Sequence, residues 1–413
     1  MVPNQTSPSD APRAAPLGHT AQAPSIYLDY QATTPLDPRV FTVMQPYFTR
    51  VFGNPASRGH DYGREAAEAV NGAREAVARM IGGSPLGLVF TSGATEANNL
   101  ALKGLFEQHR DRARHFVSCR TEHPAVLDVL AHLVERGAEV TWLEPDRSGH
   151  IDPDELRRAI RPDTLAVSLM YANNETGVVH DVAAIGAITR DAGVFFHCDA
   201  TQAAGKLPLD VGETGIDLLT FSGHKIYGPK GIGALYAGRS RPRVRLVSQM
   251  HGGGHERGFR SGTLNVPAIV GLAAALDLAE NEREREAALL KKQREALLHR
   301  LRAADVAFQI NGDPVAGLPG CLNLRFVGVD GAALQQAVPR LAFSRGSACS
   351  SAVPTPSKVL LAMGLGAIEA GESLRLSLGR FTSDAEVETA AELLIEAVCR
   401  LRDAPDHAAT CEL

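Results

Sequence analysis

The chain has few cysteines and no paired ones. Its six, Cys119, Cys198, Cys321, Cys349, Cys399 and Cys411, are scattered over 413 residues without a CxxC spacing. That argues against a disulfide framework or a zinc site and points to a reducing compartment, hence a cytoplasmic protein. Long apolar runs are also missing, and no stretch of about 18 consecutive apolar residues reads as a membrane span. Neither sign of charge is in excess. Lys+Arg number 42 against 47 Asp+Glu, a formal net charge of −5, which excludes a protein that grips nucleic acid mainly through its phosphates. The first 24 residues are rich in Pro, Ala, Ser and Thr. They lack both the apolar core of a secretion signal and the arginine density of an organellar presequence, and read as a disordered tail.

What remains is ordinary globular protein, 44% hydrophobic and 22% charged, long enough for two domains. Helical spacing of Ala, Val and Met from Tyr62 to Ile81 predicts an amphipathic helix that stops at Gly82-Gly83. Short apolar runs then recur at Leu88–Phe90, His115–Ser118, Val140–Leu143, Leu165–Met170, Val194–Phe196, Leu218–Phe221 and Ile232–Tyr236. Between most of them lie helical segments such as Ala125–Arg136, Pro153–Ile160 and Val182–Ala192. Alternation of this kind predicts an α/β fold with a mostly parallel sheet covered by helices on both faces. A long helix from about Pro267 to Arg302 breaks the rhythm, and the charge run Glu282–Glu286 reads as its solvated face. Beyond it, short strands (Cys321–Phe326, Leu374–Leu378) mixed with helices predict a smaller α+β domain.

In an open parallel sheet, ligands bind beyond the carboxyl ends of the strands, and the unusual polar residues of this chain fall there. Phe221-Ser222-Gly223-His224-Lys225 ends an apolar strand in a lysine. Desolvation lowers the pKa of an ammonium and suits it to forming a Schiff base with a carbonyl cofactor. Thr91–Asn98 is a glycine-containing turn leading into a helix, whose free N–H groups form an anion site with Thr95 as an added donor. Val194–Asp199 puts a carboxylate at the end of an apolar strand, where a buried charge needs a cationic partner. Taken alone, Lys225 also fits a solvated loop charge, Thr91–Asn98 a capped helix start and Asp199 an N-cap. Together, a phosphate cradle, a carboxylate and an amine on strand ends describe pyridoxal 5'-phosphate, whose ring nitrogen pairs with an Asp. Two other patterns fail. Pro229 stands where a phosphate-binding loop starting at Gly223 requires Lys, and His251-Gly252-Gly253-Gly254-His255 has neither a helix to align its imidazoles nor a third ligand, so no metal is expected.

Cys349 lies in Ser344–Ala352, a run of small residues with no means of packing a core. An accessible thiol there fits one that must travel and react. Cys119, Cys198, Cys321 and Cys399 read instead as small buried hydrophobes.

Over nearly all its length the chain resembles the cysteine desulfurases of the NifS/IscS type, class V aminotransferases among the fold-type I pyridoxal phosphate enzymes. The resemblance rests on Tyr27–Pro35, Phe52–Pro55, Thr91–Asn98, Thr121–His123, Asn173–Gly177, Asp199–Gln202, Ser222–Gly231, His251–Thr263, Gly346–Cys349 and Leu374–Phe381. It implies a large cofactor-binding domain over 35–282 and a small domain built from 25–34 and 283–413 that carries the catalytic Cys loop. It also implies that Lys225 holds the cofactor and Asp199 pairs with its ring nitrogen. Gln202 bonds the phenolic oxygen with Asn174 nearby, and His123 lies over the ring and serves in acid–base steps. Ala94, Thr95, Ser222 and His224 hold the phosphate, while Thr263 reaches the cofactor of a neighbouring subunit, hence a homodimer. Arg375, with Asn174, binds the carboxylate of L-cysteine, a task suited to a guanidinium. Cys349 then takes the sulfur as a persulfide and alanine leaves. Sulfur acceptors such as an iron–sulfur scaffold or a thiolation relay protein are implied, for cluster assembly or tRNA thiolation. An aminotransferase or a selenocysteine lyase on this fold would need the lysine without the mobile thiol, and an idle scaffold would need none of the set. Arg345 departs from the family's usual Ser and could favour the Cys349 thiolate. The tail Arg402–Leu413 does not match the one with which housekeeping members dock their scaffold.

Overall fold

The computed structural model describes residues 25–238, 243–346 and 356–403. The expected tail 1–24, Cys349 and Cys411 lie outside the described residues. In chain order the strands are β1 Ile26–Tyr27, β2 Leu88–Thr91, β3 His115–Cys119, β4 Glu139–Leu143, β5 Thr164–Ser168, β6 Phe195–Asp199, β7 Leu218–Ser222, β8 Gly233–Ala237, β9 Phe308–Ile310, β10 Cys321–Phe326, β11 Leu341–Ala342 and β12 Ser373–Ser377.

Seven of them form one sheet in the order β2-β8-β7-β6-β5-β3-β4. Only β8 runs against its neighbours, pairing antiparallel with both β2 and β7. Because side chains alternate across a strand, each strand feeds two cores. Leu88, Phe90, Val117 and Phe196 face the helices Asp61–Met80 and Val182–Ala192, while Val89, Phe116 and Phe195 face the helices Ala94–His109 and Pro124–Glu135. A strand covered on both faces is mostly apolar, with any polar side chain partnered, and β5, β6 and β7 are buried at every position, whereas the edge strand β4 begins exposed. The crossover helices start and stop where local chemistry directs. Asp181 accepts from Ala184 N at 3.0 Å and Gly193 turns left-handed at φ 69°, bounding the helix Val182–Ala192.

The long helix spans Val266–Ala303, with Asn265 as its cap and Pro267 in its first turn. Its first half packs under the large sheet through Ile269, Leu272 and Leu276. Its second half packs through Leu290, Leu297 and Leu301 against the antiparallel sheet β12-β10-β9. β1 pairs parallel with β11, which brings the start of the described chain to this second core. Among the described residues no helix is long and apolar enough to cross a membrane.

Candidate active site

The carboxyl ends of β2, β6 and β7 open on a cavity of about 490 Å³, within the usual size of a small-molecule site. On its wall the structure brings together Ala94, Thr95, His123, Asn174, Asp199, Gln202, Ser222, His224, Lys225 and Arg375, ten residues singled out from sequence. Thr263 is exposed and does not line this chain's cavity. The end of β7 and the turn after β2 approach each other across Gly233 on β8. A Cβ there would meet Phe221 O at 2.6 Å and Gly93 Cα at 2.7 Å.

One end of the cavity offers donors. The helix Ala94–His109 begins after Gly93, which has no side chain to cap it, so its first N–H groups face outward with the positive end of the helix dipole. Thr95, Ser222 and His224 stand beside them. Burial, together with the charges of Lys225, Lys230 and Lys206, pulls the His224 imidazole down to about 4, so it is neutral at pH 7. Its Nδ1 lies 3.1 Å from Thr33 Oγ1.

The other end is acidic. Asp199 is buried, and its carboxylate accepts from Asn98 Nδ2 at 2.8 Å and Thr201 N at 2.9 Å. Asn98 Oδ1 in turn accepts from Thr220 Oγ1 at 2.6 Å and lies 3.2 Å from His197 Nε2. Burial lowers His197 to about 4, against the opposing field of Asp199, so the network behind the Asp199 carboxylate is made of neutral dipoles. The Thr201 hydroxyl lines the same cavity and is buried with no partner among the described residues.

Lys225, half-buried, lies between these ends and donates to Gln31 O at 2.6 Å and Ala32 O at 2.8 Å. His123 caps the helix Pro124–Glu135, its Nδ1 accepting from Ala125 N at 3.1 Å. Burial, then the charge of Lys225, pushes its pKa down in spite of Asp199. The neutral ring therefore carries its proton on Nε2. Among the described residues Arg375 is the largest fully buried side chain and its Nε has no partner; it donates to Asn174 O at 2.6 Å and pairs with Asp29 at 2.6 Å. The segment leading to Cys349 starts beside it, since Arg375 N donates to Ser344 O at 2.6 Å.

A donor-lined end, a carboxylate end, an amine between them and an unpartnered hydroxyl in the wall fit a flat cofactor with a phosphate, a basic ring nitrogen and a carbonyl. Sequence reasoning missed the residues that hold this set. Asp29 pairs with Arg375, Asn98 holds Asp199, and the Gln31 carbonyl receives Lys225. Only Asn98 carried a signal, as the polar residue on the otherwise apolar buried face of its helix. One cysteine reading is corrected. Cys399 is exposed, because on the helix Asp384–Asp403 it faces away from the core to which its neighbours Ala397 and Val398 turn.

Residues 26–389 match the aminotransferase class-V family. The cysteine desulfurase IscS of Anaeromyxobacter dehalogenans (strain 2CP-C) is 53% identical over 378 residues, covering 92% of this chain and 93% of that protein. The chain belongs to the cysteine desulfurases. The enzyme also superposes on a solved NifS-like protein with a TM-score of 0.85 at 34% identity, covering 91% of this chain and all of that one. A second solved structure, SspA in complex with cysteine, gives 0.76 at 35% identity over 87% of this chain and all of that one. The fold expected from sequence, a large mainly parallel sheet flanked by helices, is the fold these relatives share.

Proposed function

We propose that the enzyme binds pyridoxal 5'-phosphate in this cavity and uses it to take sulfur from L-cysteine onto Cys349. The observation that carries the reading is the wall itself: an uncapped helix N-terminus, Asp199 and Lys225 line one cavity at the strand ends. Ala94, Thr95, Ser222 and His224 would hold the phosphate, Asp199 the ring nitrogen, Gln202 the phenolic oxygen and Lys225 the carbonyl carbon. When bound, the group supplies an electron sink for charge developed on the substrate.

The chain's own residues do the rest. Arg375, with Asn174 beside it, binds the substrate carboxylate and thereby fixes which bonds face the cofactor. His123, neutral and protonated on Nε2, has a proton to give and a basic nitrogen to regain it. The Cys349 thiolate attacks the substrate sulfur. A sulfur–sulfur bond forms as the carbon–sulfur bond breaks, the carbon gains a proton, and alanine leaves with a persulfide on the protein. The cysteine bound by the relative SspA supports this substrate.

Thr263, exposed and outside its own cavity, would complete the site of a second copy in a homodimer. The two cores on the long helix support a large domain over 35–282 and a small one over 25–34 and 283–413. The persulfide would pass to an acceptor protein such as an iron–sulfur scaffold or a thiolation relay, in the cytoplasm.

The test is to give one portion of cysteine, trap with an alkylating reagent, digest and locate the extra sulfur. It is expected on the Cys349 peptide. Cys349→Ala should keep the cofactor's visible absorption and its early change on adding cysteine while losing persulfide, and Lys225→Ala should lose the absorption. Extra sulfur on Cys321 or Cys411, or sulfur transfer by Cys349→Ala at the wild-type rate, overturns the mechanism.

A further inference from the structure

Next to the cavity, and reaching it through Gln202, lies a half-buried cation that the mechanism does not use. Lys206 ends the turn that begins at Ala200 and lines a small cavity of about 40 Å³ with Tyr30, Tyr227, Arg283 and Cys321. Among the described residues its ammonium has one hydrogen-bond partner, a neutral one: it donates to Gln202 Oε1 at 3.0 Å. Glu286, the carboxylate whose field reaches it, is paired with Arg380 at 2.9 Å. The other ionisable groups around it are Cys321, Arg375 and His224, together with Tyr30, Tyr227 and Arg283 on the same cavity wall, and burial draws its own pKa down to about 8. It is therefore mostly charged at pH 7.

An ammonium donates and never accepts. The end of Gln202 that faces Lys206 must accordingly be the oxygen, which settles an amide orientation that geometry alone leaves open. Nε2 then points the other way. One of its hydrogens goes to Gln31 O at 3.0 Å, the carbonyl that also receives Lys225 at 2.6 Å. The second is left for the cavity that Gln202 lines. Turning the amide over would set its oxygen against Gln31 O and its NH₂ against the ammonium, two repulsions in place of two bonds. The charge on the oxygen side also polarises the amide and makes Nε2 a stronger donor.

We propose that Lys206 is a positioning residue that fixes Gln202 as a hydrogen-bond donor toward the cofactor's phenolic oxygen and so sets the protonation equilibrium of the bound cofactor without touching it. This rests on the cofactor reading above. Removal of Lys206 leaves Gln31 O to orient the amide alone, so its effect should share the direction of removing Gln202 and be smaller.

The experiment is a pH titration of the visible absorption of the holoenzyme in wild type, Gln202→Ala, Lys206→Met, Lys206→Gln and Lys206→Arg. Gln202→Ala should move the midpoint. Lys206→Met and Lys206→Gln should move it the same way by about 0.3–1 pH unit, a factor of roughly 2–10 in the proton equilibrium, and Lys206→Arg, which keeps the charge and the donor, should stay near wild type. A merely structural lysine would lower yield or stability without a directed shift of this midpoint. If the folded Met or Gln variant titrates like wild type while Gln202→Ala shifts, or if it shifts the opposite way, the inference is overturned. If Gln202→Ala itself does not shift, the placement of Gln202 on the phenolic oxygen fails and takes the inference with it. Absence of visible absorption in wild type would instead overturn the cofactor reading.

Discussion

Changing Asp29 to Asn separates two things that the carboxylate does at once. Asp29 Oδ1 pairs with Arg375 Nη2 at 2.6 Å, with side-chain exposures of 16% and 2%, and Oδ2 accepts from Ser344 Oγ at 3.0 Å. It balances a buried guanidinium, and it occupies part of the group that must receive the substrate carboxylate. Removing one charge of a buried pair costs about 3–5 kcal/mol. Asn keeps the shape and one carbonyl acceptor, which offsets about 1 kcal/mol, so Asp29→Asn should destabilise the enzyme by about 2–4 kcal/mol. The same change ends the competition for Arg375. A ligand carboxylate then meets an unpaired guanidinium, and the KM for cysteine should fall, by about tenfold for each 1.4 kcal/mol released. Because the carboxylate is held alike before and during the chemistry, kcat should not rise. The assay is thermal unfolding of the holoenzyme with and without saturating alanine, together with initial rates over a range of cysteine concentrations. The stability gap between variant and wild type should be widest without ligand and narrow when alanine is bound. Unchanged stability together with a raised KM would mean that Asp29 helps to hold the substrate, and would refute the reasoning.

Two further outcomes follow from buried charge. His180 is buried beside His150, and burial lowers its pKa to about 4 from an ordinary 6.5. Its neutral form therefore contributes stability that is complete above pH 6.5 and is lost as pH falls toward 4, on the order of 3 kcal/mol in all. Asp217, raised to about 6 by burial, acts in the opposite sense. His180→Gln should flatten the fall in urea midpoint between pH 6.5 and 4, and parallel curves for variant and wild type would refute this. Glu256 Oε1 and Oε2 hold Arg74 at 2.5 and 3.0 Å, and Oε2 accepts from Phe90 N at 2.8 Å. Glu256→Ala should cost about 3–5 kcal/mol, and adding Arg74→Met should recover part of it. Additive losses in the double-mutant cycle would show that the pair is not coupled.

The strands of the large sheet and β10 and β12 were legible because each centres on an apolar run, whereas the short β1, β9 and β11 carry no such run and were not read. The helix read from Val182 to Ala192 has those ends in the structure, and the strand read as Leu218–Phe221 gains only Ser222. Lys225 and Asp199 were legible for the converse reason, as charged residues immediately after runs that should be buried. The direction of β8 was not, since an apolar strand reads alike in either direction. Asp29 with Arg375 and Asn98 with Asp199 stand 346 and 101 residues apart, and no period in the sequence links such positions. Lys206 and Gln202 are four residues apart, yet nothing in that spacing says that the pair is buried or that it backs a cavity.

The helix Val266–Ala303 runs unbroken for 38 residues, about 57 Å at 1.5 Å per residue, and belongs to the apolar interior at both of its ends. The two halves of the enzyme are therefore not modules in the sense that recombination requires. A break near its middle would strip each half of one wall and leave a row of leucines in water, so neither half would close its core alone. The same continuity rules out a free swivel of one half on the other about a joint in mid-helix.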